Sequence, residues 1–105
     1  MEARDKLRSL GIDLDRLAEL CDRWKIAEIA LFGSALREDF RPDSDVDLLV
    51  TYRPDADWSL LDTVRLDREL AALFGRKVDL NTPGFLGRYF RDQVLAEAKN
   101  VYVAA

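Results

Sequence analysis

Two aspartates separated by a single residue, Asp45 and Asp47, are the side chains in this sequence that are best suited to chemistry. They head the run from Asp45 to Tyr52, whose aliphatic and β-branched residues predict a strand. Residues two apart in a strand point to the same side, so the two carboxylates project together and repel each other unless a cation lies between them. Mg²⁺ takes a few carboxylate oxygens and fills its other positions with water or phosphate oxygens. The pair therefore predicts a site for magnesium and a polyphosphate.

Gly33 and Ser34 are the candidate phosphate-binding residues. They follow a short apolar run, 26–32, that predicts a buried strand, and they open a helical turn predicted over 34–38. Backbone N–H groups at the start of such a turn attract anions. Glycine lets a triphosphate approach the backbone, and the Ser34 hydroxyl can donate a hydrogen bond to it. Arg37, within the same turn, is a further candidate for contact with phosphate.

Asp79 is the next acid with a strand context. The segment 77–80 predicts a short strand in which Val78 and Leu80 face the core and Asp79 faces the other side. If this strand lies beside that of Asp47, three carboxylates meet on one sheet face. Such a triad can hold two ions about 3.5 to 4 Å apart, and Asp79 could also accept the proton of an attacking hydroxyl as a general base.

The pattern of Gly-Ser, ten intervening residues and Asp-x-Asp resembles the signature of the minimal nucleotidyltransferases of the DNA polymerase beta-like superfamily. In that family the Gly-Ser pair contacts the nucleotide phosphates, the two aspartates bind metal, and an acid on a later strand completes the site. The resemblance implies these roles for Gly33, Ser34, Asp45, Asp47 and Asp79. It also implies that family's short mixed sheet with flanking helices.

Proteins of this size and pattern are similar to antitoxins that are encoded beside a HEPN-domain RNase and silence it by attaching AMP to a tyrosine. The resemblance implies an enzyme that uses two Mg²⁺ ions, with ATP as donor and a hydroxyl of a HEPN toxin as acceptor. Glu38 stands where many relatives have glycine, which implies a carboxylate near the phosphates. Two other functions stay open: a binding antitoxin that covers its partner's active site, and transfer to an RNA end or a small molecule such as an aminoglycoside.

Each candidate residue also has a purely structural interpretation. Asp45 would be an acid at the entry to a strand, although this leaves Asp47 inside an apolar strand without a role. Ser34 would be a helix cap. Asp79 would be a solvated edge residue or a salt-bridge partner. Arg37 would form a surface ion pair with Asp39.

The elements that must position these side chains are predicted from apolar periodicity and capping residues. They are an amphipathic helix over 12–24 that Asp13 caps, a helix from Ser59 to Phe74 that Gly75 ends, a helix that starts at Thr82–Pro83, and a short terminal segment over 101–103. The last helix has a predicted apolar stripe of Tyr89, Phe90, Val94, Leu95 and Ala98. The order of elements predicts an α+β (mixed α/β) fold with a single small mixed sheet flanked by helices. We expect residues 1–105 to form one minimal nucleotidyltransferase domain.

The amino-acid composition limits the kinds of active site and partner that this chain can have. The sequence has no histidine, which excludes a Ser-His-Asp site and any imidazole-bound zinc. Its formal charge of −4 disfavours direct binding to nucleic acid, and the absence of a long apolar run or a leader pattern predicts a cytoplasmic protein without a membrane partner. Cys21, Trp24, Trp58 and Tyr89 are expected in packing rather than in chemistry.

Overall fold

The computed structural model describes residues 3–36, 45–83 and 88–104, with the backbone alone at 34–35 and 88–91. Four α-helices, four strands and one 3₁₀ turn are formed within these ranges. They are α1 (Ala3–Ser9), α2 (Leu14–Arg23), β1 (Ile26–Leu31), a 3₁₀ turn (Gly33–Leu36), β2 (Val46–Tyr52), α3 (Leu60–Phe74), β3 (Val78–Asn81), α4 (Arg88–Glu97) and β4 (Lys99–Val103). The predicted mixed α+β class is confirmed.

The four strands form one sheet in the order β3-β2-β1-β4. β1 is antiparallel to both β2 and β4, whereas β2 and β3 are parallel. A parallel pair needs a crossover between its strands, and α3 supplies it. The sheet is therefore mixed, as predicted, and the strands that carry Asp47 and Asp79 are neighbours.

Alternation along β1 separates two cores on opposite faces of the sheet. Ile29 and Leu31 are buried on the face covered by α1, α2 and α3, where most of the buried apolar residues gather. Ala30 and Phe32 are buried on the other face, in a smaller cluster that includes Val94 of α4. This second face also carries the acidic residues, so α4 is the helix that flanks the candidate site.

The capping residues that the sequence predicts are found at the ends of α2 and α3. The Asp13 carboxylate accepts from the backbone N–H of Asp15 at 2.9 Å at the start of α2. Ser59 and Asp62 form a reciprocal capping box at the start of α3. Gly75 ends α3 in the left-handed conformation with φ of +68°, which glycine adopts at low cost.

The structure differs from the sequence-based expectation in four places. α1 is a helix that the pattern did not predict, and its one buried side chain is Leu7. The segment over 101–103 is part of an edge strand, β4. The prediction that Leu95 belongs to the buried stripe is wrong, because its side chain is 49% exposed. The 3₁₀ turn begins at Gly33 rather than Ser34.

Two predicted segments extend past what the structure describes. The loop over 39–44 lies outside the described residues, as do 84–87 at the expected start of the last helix. Among the helices of the described ranges, none combines the length and hydrophobicity needed to cross a membrane.

Candidate active site

Asp47 and Asp79 are paired in register on the parallel strands β2 and β3. Their preceding residues, Val46 and Val78, are paired too, and both are buried in the main core. The backbone N–H of Val46 donates to the carbonyl of Lys77 at 3.1 Å, which fixes this register. Because side chains alternate along a strand, the two aspartates lie on the opposite face, next to each other. β3 thus lies beside β2, which is the condition for Asp79 to share a sheet face with Asp47.

Gly33 packs directly against Asp47. The backbone N–H of Phe32 donates to the carbonyl of Asp47 at 3.2 Å, which holds the end of β1 beside β2. A Cβ at position 33 would lie only 2.7 Å from Oδ2 of Asp47 and 3.5 Å from its Cγ. Gly33 also has a φ of +60°, a conformation that L side chains adopt rarely. Both the close approach and the backbone angle require glycine here.

The other predicted site residues are described to different extents. Asp45 immediately precedes β2 and is exposed, and strand alternation would place it on the side of Asp47. The backbone of Ser34 lies in the 3₁₀ turn, but its side chain is outside the description, so the hydroxyl contact stays a prediction. Arg37 and Glu38 lie outside the described residues, as does Asp39.

A cleft of about 240 Å³ opens between the acidic face of the sheet and α4. Among the described residues, its lining includes Phe32, Gly33, Asp47, Asp79, Asn81, Gln93, Val94 and Glu97. The sheet side supplies two carboxylates and a backbone turn, while α4 supplies a carboxylate and an amide. Three of the predicted residues, Gly33, Asp47 and Asp79, therefore share one cleft.

Sequence reasoning missed Asn81, Gln93 and Glu97. Asn81 follows Asp79 by two residues, so strand alternation places both on the same face. Gln93 and Glu97 are one turn apart on α4 and flank the buried Val94. The sequence does show Gln93 and Glu97 as a polar pair four residues apart beside an apolar position. The pattern of the helix alone, however, does not say which face of the sheet the helix covers.

The donor set suits magnesium with a nucleotide rather than an all-protein metal site. In the part of the chain that the structure describes, no three acidic or cysteine side chains converge into a metal-binding group. Asp47 and Asp79 form a pair of carboxylates, and the Cβ absent from Gly33 leaves space beside one of them. Mg²⁺ is commonly bound by one or two carboxylates together with phosphate oxygens and water, and these residues fit that arrangement.

A larger hollow of about 380 Å³ between α2 and α3 does not have this chemistry. Its lining includes Arg16, Arg23 and Glu69, and the guanidinium of Arg23 lies 3.2 Å from a carboxylate oxygen of Glu69. Arg23 and Glu69 thus neutralise each other as a surface ion pair. The smaller cleft on the other face is the candidate active site.

Cys21, Trp24 and Trp58, three of the four residues expected in packing, make packing contacts. Cys21 is buried in the main core, and burial raises the pKa of its thiol to about 12. Trp24 and Trp58 meet edge to face with ring centroids 5.0 Å apart, and the indole N–H of Trp58 donates to the carbonyl of Trp24 at 2.7 Å. The side chain of Tyr89 lies outside the description. None of the three described residues lines the cleft.

Comparison with known proteins agrees with this geometry. Residues 16–101 match the family of the nucleotidyltransferase domain. A solved structure of a minimal nucleotidyltransferase is 36% identical over 93% of this chain and 94% of that one, with a TM-score of 0.70. A search of curated proteins found no match.

More distant solved structures have the same fold. A toxin–antitoxin complex with AMP-PNP is 21% identical over 89% of this chain and 75% of that one, with a TM-score of 0.69. A complex of a tri-AMPylated HEPN toxin with an MNT antitoxin from Shewanella oneidensis is 22% identical over 87% and 70%, with a TM-score of 0.61. The chain thus has the fold of proteins found in such complexes. On the family match and the 36% identical relative, it belongs to the nucleotidyltransferase domain family and is an enzyme of the minimal nucleotidyltransferase type.

Proposed function

We propose that this nucleotidyltransferase moves AMP from ATP to a hydroxyl group, that of a tyrosine, on a partner HEPN-domain RNase toxin, and so acts as its antitoxin. The observation that carries the proposal is the in-register pair of Asp47 and Asp79 beside the backbone of Gly33. Two solved relatives support the choice of donor and acceptor, one a toxin–antitoxin complex with AMP-PNP and the other with a tri-AMPylated HEPN toxin.

The residues of the cleft divide into a phosphate side and a metal side. The backbone of the 3₁₀ turn from Gly33 binds the triphosphate, with the Ser34 hydroxyl and Arg37 as further contacts. Asp45, Asp47 and Asp79 hold the magnesium, two ions in all. When bound, the metal neutralises phosphate charge and lowers the pKa of the attacking hydroxyl.

The transfer is an in-line displacement. The acceptor oxygen forms a bond to the α-phosphorus, the bond from that phosphorus to the bridging oxygen of the β-phosphate breaks, and pyrophosphate leaves. Asp79 takes the proton of the acceptor hydroxyl as the general base. Its exposure and its place on the edge strand β3 suit this role, because a hydroxyl on a large partner can reach it.

The test uses the purified chain, its candidate HEPN partner and ATP labelled with ³²P at the α-phosphate. We expect label on the partner, and we expect Asp47→Asn to abolish it while the thermal unfolding curve stays cooperative. Asp57→Asn, an exposed acid in the loop before α3, is the matched control and should label normally. Persistent labelling by Asp47→Asn would end the metal assignment, and no labelling by the wild-type chain would end the proposal of AMP transfer.

A second function, neutralisation by binding alone, is favoured by the acidic composition. The chain carries a formal charge of −4, and an acidic surface is attracted to the basic surface of an RNA-binding RNase. Such an antitoxin would protect cells without chemistry. Expression of Asp47→Asn beside the toxin separates the two functions, because a binding antitoxin would still protect and an adenylyltransferase would not.

A further inference from the structure

Glu97 is an acid in a position that helix stability does not favour. It is the last residue of α4, where the negative end of the helix dipole disfavours a carboxylate. Its side chain is exposed and lines the cleft on the wall opposite Asp47 and Asp79. A role in ligand binding therefore explains this residue better than local stability does.

The chemistry of the cleft limits what Glu97 can bind. Glu97 belongs to α4, across the cleft from Asp47 and Asp79, so it is separate from the strand residues to which the proposed function assigns the metal. A carboxylate also repels phosphate oxygens. From a nucleotide, it can accept a hydrogen bond from a neutral donor, such as a hydroxyl.

Besides Asp47 and Asp79, the described lining around Glu97 offers neutral polar groups and apolar carbon. Gln93 lies one turn earlier on the same helix face, and Val94 and Phe32 supply the apolar carbon. On the sheet side, the amide of Asn81 donates to the backbone carbonyl of Asp79 at 3.2 Å, which orients it. One carboxylate, two amides and apolar carbon match a sugar, which offers several hydroxyls and C–H faces.

The volume of the cleft also favours the sugar of the nucleotide. A cleft of about 240 Å³ is smaller than the pockets that enclose a whole drug-sized ligand, which start at roughly 300 Å³. With the phosphates placed at the turn that begins at Gly33, the group that follows them into the remaining space is the sugar.

We infer that Gln93 and Glu97 bind the ribose of the nucleoside triphosphate and select ribonucleotides over 2′-deoxyribonucleotides. Glu97 accepts hydrogen bonds from the 2′ and 3′ hydroxyls, and the Gln93 amide completes the contact. The inference rests on the proposed function, which takes a nucleoside triphosphate as donor. A site built to bind a hydroxyl rejects the analogue that lacks it, since its polar groups are then left without a partner.

The test is calorimetric titration of the whole chain with ATP and with 2′-deoxyATP, in magnesium and without an acceptor, so that no transfer occurs. We expect the wild type to bind ATP about ten- to a hundredfold more tightly, the range of a hydrogen bond to a charged group. Glu97→Ala should weaken ATP to the level of 2′-deoxyATP and leave 2′-deoxyATP unchanged. Gln93→Ala should reduce the ratio by a smaller factor. Asp92→Asn, which removes a charge from α4 outside the cleft, should keep the wild-type ratio.

Alanine is the best helix former, so circular dichroism should show α4 intact in both variants. The inference is overturned if the wild type binds both nucleotides equally, or if Glu97→Ala weakens both by the same factor. It is also overturned if Glu97→Ala keeps the wild-type preference for ATP, because Glu97 would then make no contact with the 2′ hydroxyl. A wild-type chain that binds no nucleotide would refute the proposed function itself.

Discussion

The carboxylate of Asp47 lies between its in-register partner Asp79 on β3 and the backbone of Gly33 at the end of β1. Three segments that are distant in sequence thus meet at one point on the sheet. Two of them contribute a negative charge, and the third contributes the lack of a side chain.

Substitution of Gly33 by alanine should damage the site more than the fold. The new Cβ would lie 2.7 Å from Oδ2 of Asp47, so the carboxylate must move, and a displacement of this kind costs about a hundredfold in rate. Gly11→Ala is the matched control, because Gly11 also has a positive φ, +81°, but open space around it. Both variants should lose about 1–2 kcal/mol in urea unfolding, and only Gly33→Ala should lose transfer activity. Equal activity in the two variants would contradict the role of the close approach.

Removal of one charge from the pair of Asp47 and Asp79 should have opposite effects on stability with and without ligand. Without metal, Asp79→Asn should raise the free energy of unfolding by ~0.5 kcal/mol, the scale of like-charge repulsion between neighbouring strands. With magnesium and ATP, the wild type should gain stability through binding, and the variant should gain much less. Thermal unfolding with and without ligand measures both, with Asp57→Asn as the control. An unchanged ligand-induced shift in Asp79→Asn would remove Asp79 from the metal site.

The capping box of α3 predicts a loss of stability without a loss of site chemistry. Ser59→Ala removes the hydroxyl that accepts from the backbone N–H of Asp62 and should cost ~1 kcal/mol, or roughly 4–8 °C in Tm. Nucleotide affinity should stay at the wild-type value, because α3 packs on the face opposite the cleft. Calorimetry of unfolding and of ATP binding tests both parts.

Asp62 makes the same cap dependent on pH. The backbone N–H of Ser59, and then its hydroxyl, hold the pKa of the Asp62 carboxyl below its ordinary value of 3.8. A lowered folded-state pKa means that this stability is complete above the ordinary pKa and is lost as the pH falls through the folded-state value. The difference in unfolding free energy between the wild type and Asp62→Ala should therefore be constant near neutral pH and shrink below pH 3.8. A difference that grows on acidification would contradict this cause.

Cys21 should report on global unfolding. Its thiol is buried in the main core, and burial raises its pKa to about 12, so little reactive thiolate exists near neutral pH. We expect almost no reaction with Ellman's reagent at pH 8 in buffer and complete reaction in denaturing urea. The rate should follow the unfolded fraction in intermediate urea. Rapid labelling of the native chain would show that α2 opens locally.

Much of the fold and part of the site follow from local patterns. Alternation over residues 45–50 and 77–80 places Asp47 and Asp79 away from the main core, because the side chain of a strand has only two faces to choose from. Capping residues and glycines mark the ends of α2 and α3 for a similar reason. These signals are local, so they survive in a single sequence.

The parts of the fold and of the site that the sequence does not predict depend on packing between distant segments. β4 pairs with β1, and only Val101 among its residues is buried, so it lacks the alternation of a half-buried strand. Leu95 looks like part of an apolar stripe, but its side chain is 49% exposed, and among the described side chains of α4 the one buried against the sheet is that of Val94. Gln93 and Glu97 enter the cleft for the same tertiary reason, which no local periodicity contains.

The attachment of α4 links the shape of the cleft to the sheet as a whole. One residue, Ala98, separates this helix from β4, and β4 is held on β1 from Lys99 to Val103. Asp79 lies on β3, at the other edge of the same sheet. The two walls of the cleft are thus attached to opposite edges of one sheet. Any bending of the sheet therefore changes the width of the cleft.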